Sequence, residues 1–255
     1  MEIFNKRSKR GIIYTLLSFD DTHYLNLKCA KLLEKYHLKG TFYFDVARIS
    51  KHIAKDIKWI SQWNEIGSHG MTHRNLTKLQ PHELRYELEV SKRMLEEIIE
   101  KPINSFAYPY GYFNSDIIEA VRSYGYSNAR SFVQGNSKID SELFALRVTL
   151  SATSYGYRQI PFFIKSLGLY KLGYNPWMIR RWDKLVEYIL EKLSRSAMKG
   201  EERVFHLVVH ADFMELRNDW DKLEEVFNIV SSSKLLRNIT VTEYAKICKK
   251  LKGGK

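Results

Sequence analysis

Cysteine is scarce in this 255-residue sequence, with only Cys29 and Cys248, far apart along the chain. That scarcity excludes a disulfide framework and the paired Cys-x-x-Cys of a thiolate zinc site, so any metal would have to be held by histidine and carboxylate. Long apolar runs are missing as well: nothing approaches the roughly 18 consecutive apolar residues of a membrane-crossing helix. Residues 1–10 are polar and basic, and the apolar stretch 12–19 ends at two aspartates instead of a small-residue cleavage site. The expectation is a cytoplasmic protein without a secretion signal. No biased tract, internal repeat or linker-like stretch suggests disorder, a solenoid or a second domain. The hydrophobic fraction of 44% and charged fraction of 27% are those of an ordinary folded domain.

Charge is unbalanced. Lys and Arg number 41 against 29 Asp and Glu, a net charge of +12. Such an excess suits acidic partners, among them phosphorylated or uronic sugars, lipid headgroups and nucleic acid. It is equally what lysine-rich helices give when they solvate the outside of a barrel.

Short β-rich runs alternate with longer stretches of helical period, which predicts parallel strands joined by crossover helices in an α/β fold. Candidate strands fall at residues 12–18, 41–44, 65–68, 105–108, 127–130, 144–148, 204–209 and 238–240. Leu25, Cys29, Leu32, Leu33 and Tyr36 make one apolar stripe, and a second covering helix is expected over residues 81–99, with Pro81 in its first turn. Thr240 and Glu243 have capping-box spacing for a last helix toward Leu251. Residues 155–194 break the rhythm with five tyrosines, two tryptophans and prolines at 161 and 176, and read as a basic aromatic insertion within the single domain.

Several chemical groups follow strand candidates. Asp20 and Asp21 close the first apolar run, at the end of a parallel strand where barrels carry their active sites. Alone, such a pair is more often a turn or a cap. His69 and His73, four positions apart, can bring two imidazoles to one side of a turn. With a carboxylate from another strand they would make an Asp-His-His set that leaves a coordination position for water. His210 ends the late strand, and Tyr108-Pro-Tyr-Gly111 offers a constrained turn whose N–H groups could face an oxyanion.

In that order, Ser18-Phe-Asp-Asp21, Ser68-His-Gly-Met-Thr-His73, Tyr108-Pro-Tyr-Gly111 and Leu207-Val-Val-His210 resemble the motifs of the polysaccharide deacetylases, the NodB-homology family, over residues 12–248. The resemblance implies a distorted, incomplete (β/α) barrel of about seven parallel strands. It also implies one divalent metal, zinc first, with cobalt, nickel, manganese or ferrous iron as alternatives. Carried across, it makes Asp20 the general base and Asp21, His69 and His73 the metal ligands. The Tyr110 N–H becomes an oxyanion donor, His210 the acid for the departing amine and Leu207 a wall of the acetyl pocket. Ala107 stands where the family often has the arginine that partners the base, and Arg130 is expected to substitute for it. The family's Asp-Trp motif has no clear counterpart, although Trp177 and Trp182-Asp183 fall in its region and could supply an aromatic wall. After His210, Ala211 intervenes before Asp212, which leaves the partner of the imidazole open. Thr22 replaces a common glycine, and His23 is expected in a surface turn.

The expected reaction is removal of N-acetyl groups from an acetylated sugar, oligosaccharide or lipid-linked glycan. In the last case the basic aromatic insertion would contact a membrane surface. Hydrolysis of a non-sugar amide on the same fold is the alternative, followed by a non-catalytic carbohydrate-binding relative. No nucleic-acid motif accompanies the basic charge, so no nucleic-acid partner is expected.

Overall fold

A computed structural model of the chain describes residues 10–153 and 181–253. Strands and helices alternate along it: β1 (Ile13–Asp20), α1 (Asn26–Lys35), β2 (Thr41–Phe44), α2 (Lys51–Ile60) and β3 (Glu65–Ser68) open the sequence. A long helical stretch follows, made of α3 (Pro81–Arg85), a π turn over Tyr86–Val90 and α4 (Ser91–Ile99). Then come β4 (Ser105–Ala107), α5 (Ser115–Ser123), β5 (Asn128–Arg130) and β6 (Leu150–Ser151). The chain closes with α6 (Trp182–Met198), β7 (Arg203–His210), α7 (Ala211–Leu216), α8 (Trp220–Ser232), β8 (Leu236–Asn238) and α9 (Val241–Gly253).

The strands form one curved parallel sheet in the order β5-β4-β3-β2-β1-β7-β6, with β8 added against β1. β1 is the axis of the arrangement, pairing with β7 along its whole length from Ile13↔Arg203 to Asp20↔His210. On its other edge it divides. Its lower residues Ile13 to Thr15 take β8, and its upper residues Ser18 to Asp20 take β2.

All eight residues of β1 are buried, as a strand covered on both faces must be. Its alternation separates two apolar clusters. Ile13, Leu17 and Phe19 face the covering helices with Phe205, Leu207 and Val209 of β7. Tyr14 and Leu16 turn inward with Val204, where Val241, Tyr244, Ala245 and Cys248 of α9 close the bottom of the barrel. Higher on the inner face the side chains become polar: Ser18, Tyr43, Ser105, Arg130 and His206 are all buried there.

The capping box at α9 forms as its spacing predicts, Thr240 N–H donating to Glu243 Oε2 at 2.9 Å and Glu243 N–H to Thr240 Oγ1 at 3.3 Å. The strand expected at residues 144–148 does not. That segment crosses the gap between the ends of the sheet. Leu146 bridges Arg130, while Thr149 and Ala152 donate to His206 and Val208 carbonyls of β7 at 2.8 Å each. Regular strand begins only beyond residue 148, at Leu150–Ser151.

Residues 182–194, assigned from sequence to an insertion, belong to α6, whose Leu185, Val186, Ile189, Leu190 and Leu193 are buried against the barrel. The remainder of that stretch, Trp177 included, lies outside the described residues. Among the described residues no helix is long and apolar enough to cross a membrane.

Candidate metal centre

β1 delivers Asp20 on the inner face, directly opposite His210 in the register with β7. The next residue leaves the strand: Asp21 has φ +68°, a left-handed conformation that costs a non-glycine residue about a kilocalorie or more per mole. The turn is held from outside. Asn26 Nδ2 donates to the Asp21 carbonyl at 2.7 Å, Thr22 N–H donates to Asp45 Oδ1 at 2.8 Å, and Thr22 Oγ1 donates to the Asp45 carbonyl at 2.8 Å. The result aims the Asp21 carboxylate at two histidines from β3.

His69 continues β3, its N–H bonded to the Phe44 carbonyl at 2.9 Å. Its Nδ1 lies 2.8 Å from the Ala107 carbonyl oxygen, so the ring proton resides on Nδ1 and the Nε2 lone pair faces the site. His73, also left-handed at φ +57°, turns its Nε2 to within 3.2 Å of His69 Nε2. Asp21 Oδ1 is 3.4 Å from His73 Nε2 and 3.8 Å from His69 Nε2. Donor atoms about 2.0–2.1 Å from a tetrahedral zinc are separated by about 3.3 Å, so three donors at these spacings fit one such ion. Asp21 Oδ1 is buried and, among the described residues, accepts no hydrogen bond. A buried carboxylate oxygen without a donor beside two imidazole lone pairs is the arrangement a cation completes. Burial pushes His69 down to about 3, which keeps the imidazole a neutral donor.

Behind the trio, Arg130 from β5 reaches Asp20, its Nη2 at 2.6 Å from Oδ1 and 2.5 Å from Oδ2. Both side chains are almost wholly buried. Burial alone would raise the Asp20 carboxyl. Arg130, followed by His69 and His210, outweighs it and holds the group below the usual carboxylate range. The guanidinium lies over the Tyr43 ring at 5.0 Å, and the ring fits there because position 67 is glycine: a Cβ would come within 2.5 Å of it. Asp21 moves the other way, raised chiefly by burial, which the His210 charge opposes and Asp20 reinforces.

His210 places Nε2 3.9 Å from Asp21 Oδ2. Its Nδ1 is buried without a hydrogen-bond partner among the described residues. Aromatic packing orients the ring instead, with Phe213 stacked at 5.2 Å and Phe132 edge-on at 6.4 Å. Tyr110 completes the rim. It is exposed, left-handed at φ +58°, and its ring stands edge-on to His73 at 4.6 Å. Gly111 after it, at φ +76°, passes so close to Phe132 that a Cβ would lie 2.5 Å from the Phe132 Cβ.

A sequence family described as polysaccharide deacetylase matches residues 7–129, which contain all three candidate ligands. Over that span, just under half of its length, the chain is similar to the polysaccharide deacetylases. YxkH of Bacillus subtilis (strain 168), a protein named as a polysaccharide deacetylase, is 28% identical over 142 residues. That alignment covers 53% of this chain and 51% of YxkH, so the chain spans about half the length of the curated relative it matches. Among solved structures, the Xyl-CE4 domain of a multidomain xylanase from the hindgut metagenome of Trinervitermes trinervoides aligns at a TM-score of 0.62 with 14% identity, covering 93% of this chain and 91% of that one. A family 4 acetyl xylan esterase from Clostridium thermocellum, in complex with a cobalt ion, aligns at 0.60 with 15% identity, covering 92% and 91%. At such identities the structures establish the deacetylase fold.

Placed in this deacetylase fold, several residues read from sequence stand apart from the site. Leu207 is three positions before His210, an odd spacing on a strand, so it lies on the opposite face among the outer core residues. Val208 shares the His210 face. Trp182 is no wall: its ring is buried in the core and Nε1 donates to Asp219 at 2.9 Å. Asp183 pairs with Arg181 at 2.7 Å, and Asp212 accepts from the Phe213 N–H at 2.9 Å, so neither orients His210. His23 accepts from the Leu25 N–H at 3.3 Å and packs at a tilt against the Tyr24 ring, in the turn role expected of it. Asp45, Asn26 and Glu87, which fix these loops, carried no sequence signal because their partners are backbone groups that only the folded loops bring against them.

Proposed function

We propose that this chain is a metal-dependent hydrolase that removes N-acetyl groups from acetylated amino sugars. The observation that carries the reading is the buried Asp21 Oδ1, without a donor, 3.4 and 3.8 Å from two imidazole nitrogens and backed by the ionised Asp20. A divalent cation held by Asp21, His69 and His73, zinc first and cobalt, nickel, manganese or ferrous iron as alternatives, would polarise the acetyl carbonyl and make water a competent nucleophile near neutral pH.

The chain's own groups supply the rest. Asp20, kept as carboxylate by Arg130, takes a proton from the attacking water as its oxygen bonds to the acetyl carbon. The Tyr110 N–H donates to the carbonyl oxygen as charge gathers on it. His210, across the site from the base, hands a proton to the amine nitrogen as the C–N bond breaks, leaving acetate and a free amino sugar. Tyr110, exposed beside His73, offers a ring face on which a pyranose can stack.

Acetate release tests the substrate class. N-acetylglucosamine oligomers should release acetate in proportion to free amine formed, while acetyl-lysine peptides and cyclic ureides should not react. Turnover of a non-sugar amide in preference to the oligomers would contradict the proposal.

A further inference from the structure

Behind the loop that carries both histidines lies an acidic side chain that the proposed chemistry does not use. Glu87 is 1% exposed and, among the described residues, pairs with no lysine or arginine. Burying a carboxylate in that way is costly unless hydrogen bonds replace its water. Here they come from the histidine loop: Oε2 accepts from the Met71 N–H at 2.7 Å and from the Thr72 N–H at 3.0 Å, and Oε1 accepts from the Thr72 hydroxyl.

The backbone is built to bring Glu87 there. It sits in the π turn Tyr86–Val90, where the α-helical ladder is interrupted. The hydroxyl of Ser91 lies 2.5 Å from the Glu87 carbonyl and that of Tyr126 donates to the Leu88 carbonyl at 2.9 Å, so neither carbonyl is stranded by the turn. Ser91 Oγ is also 3.0 Å from Ser68 Oγ, which accepts the Gly70 N–H at 3.1 Å. Position 70 must be glycine, since φ is +85° and a Cβ would stand 2.7 Å from Glu87 Oε2. The bonds that the Glu87 carboxylate accepts come from Met71 and Thr72, immediately before the left-handed His73.

We propose that Glu87 is a positioning residue that sets His73 Nε2 against His69 Nε2 before a metal arrives. The inference rests on the metal site proposed above. It makes metal affinity, not only folding, depend on a carboxylate that touches no metal, as outer hydrogen-bond partners of metal ligands commonly do.

The test is cobalt titration of the chelator-stripped full chain, followed by visible absorption, with thermal melting of the metal-free protein alongside. Glu87→Ala should weaken cobalt binding by about tenfold or more and alter the absorption band. Glu87→Gln, whose amide can accept both N–H groups and donate to the Thr72 hydroxyl, should stay within about threefold of the parent. Should Glu87→Ala not fold, Thr72→Val carries the test: it removes one of the three bonds and should weaken binding several-fold with a similar melting temperature. Parental affinity and spectrum in folded Glu87→Ala, or in Thr72→Val where that variant carries the test, would overturn the positioning role alone. A parent chain that binds no cobalt would overturn the proposed metal site and this inference together.

Discussion

Arg130 and Asp20, 110 positions apart in sequence, meet inside the barrel with one guanidinium nitrogen 2.6 and 2.5 Å from the two carboxylate oxygens. The guanidinium comes from the strand beside that of Ala107, because β4 and β5 are paired with Ala107 opposite Arg130. Arg130→Met should leave Asp20 buried without its cation. Stability should fall by about 3 kcal/mol, as it does when one partner of a buried pair is removed. Turnover should fall by about a hundredfold or more. Burial of Asp20, then poorly opposed, should also shift the acid limb of the rate profile to higher pH. Unchanged turnover with an unchanged profile would make Arg130 structural only.

Asp20 and His69 should separate cleanly. Asp20→Asn keeps the Asp21, His69 and His73 donors and should retain bound metal while losing turnover by about two orders of magnitude or more. His69→Ala removes a donor and should lose both. Metal analysis of the purified variants, paired with acetate release, distinguishes them, and normal turnover in Asp20→Asn would remove it as the base.

His206 makes stability depend on pH in a direction that can be worked out. Burial first, then the nearby Arg130 charge, pushes its imidazole down to about 3 from an ordinary 6.5, and its Nε2 meets the Ser18 hydroxyl. As pH falls below 6.5 the unfolded chain takes up this proton and the folded chain does not. Stability is therefore full above that value and declines toward about 3, by up to roughly 1.4 kcal/mol per pH unit for this one group. Urea unfolding of metal-free protein between pH 6 and 4 should show a shallower decline in His206→Gln than in the parent. Equal slopes would mean that His206 is not held neutral.

Much of this was legible in the sequence, for identifiable reasons. β2 and β3 fall at the residues the apolar runs indicate, and Asp21, His69 and His73 converge because each follows a parallel strand at the same end of the sheet. What failed was finer. The motif match assigns Leu207 to the site, whereas its odd separation from His210 puts it on the other face of β7, as strand alternation requires. The segment 144–148 has the composition of a strand but forms only the isolated bridge of Leu146 to Arg130, its remaining cross-segment backbone bonds running to the irregular residues Val133 and Asn136, which no local pattern reveals. Glu87 and Asp45 belong to no motif of the sequence. Their roles depend on which backbone amides the folded loops turn toward them.

The most direct measurement is acetate release from N-acetylglucosamine oligomers by the full chain, after stripping with a chelator and again after adding back zinc. The stripped protein should be inactive, and activity should return and plateau near one equivalent of metal. Acetate release that survives complete stripping would contradict the account.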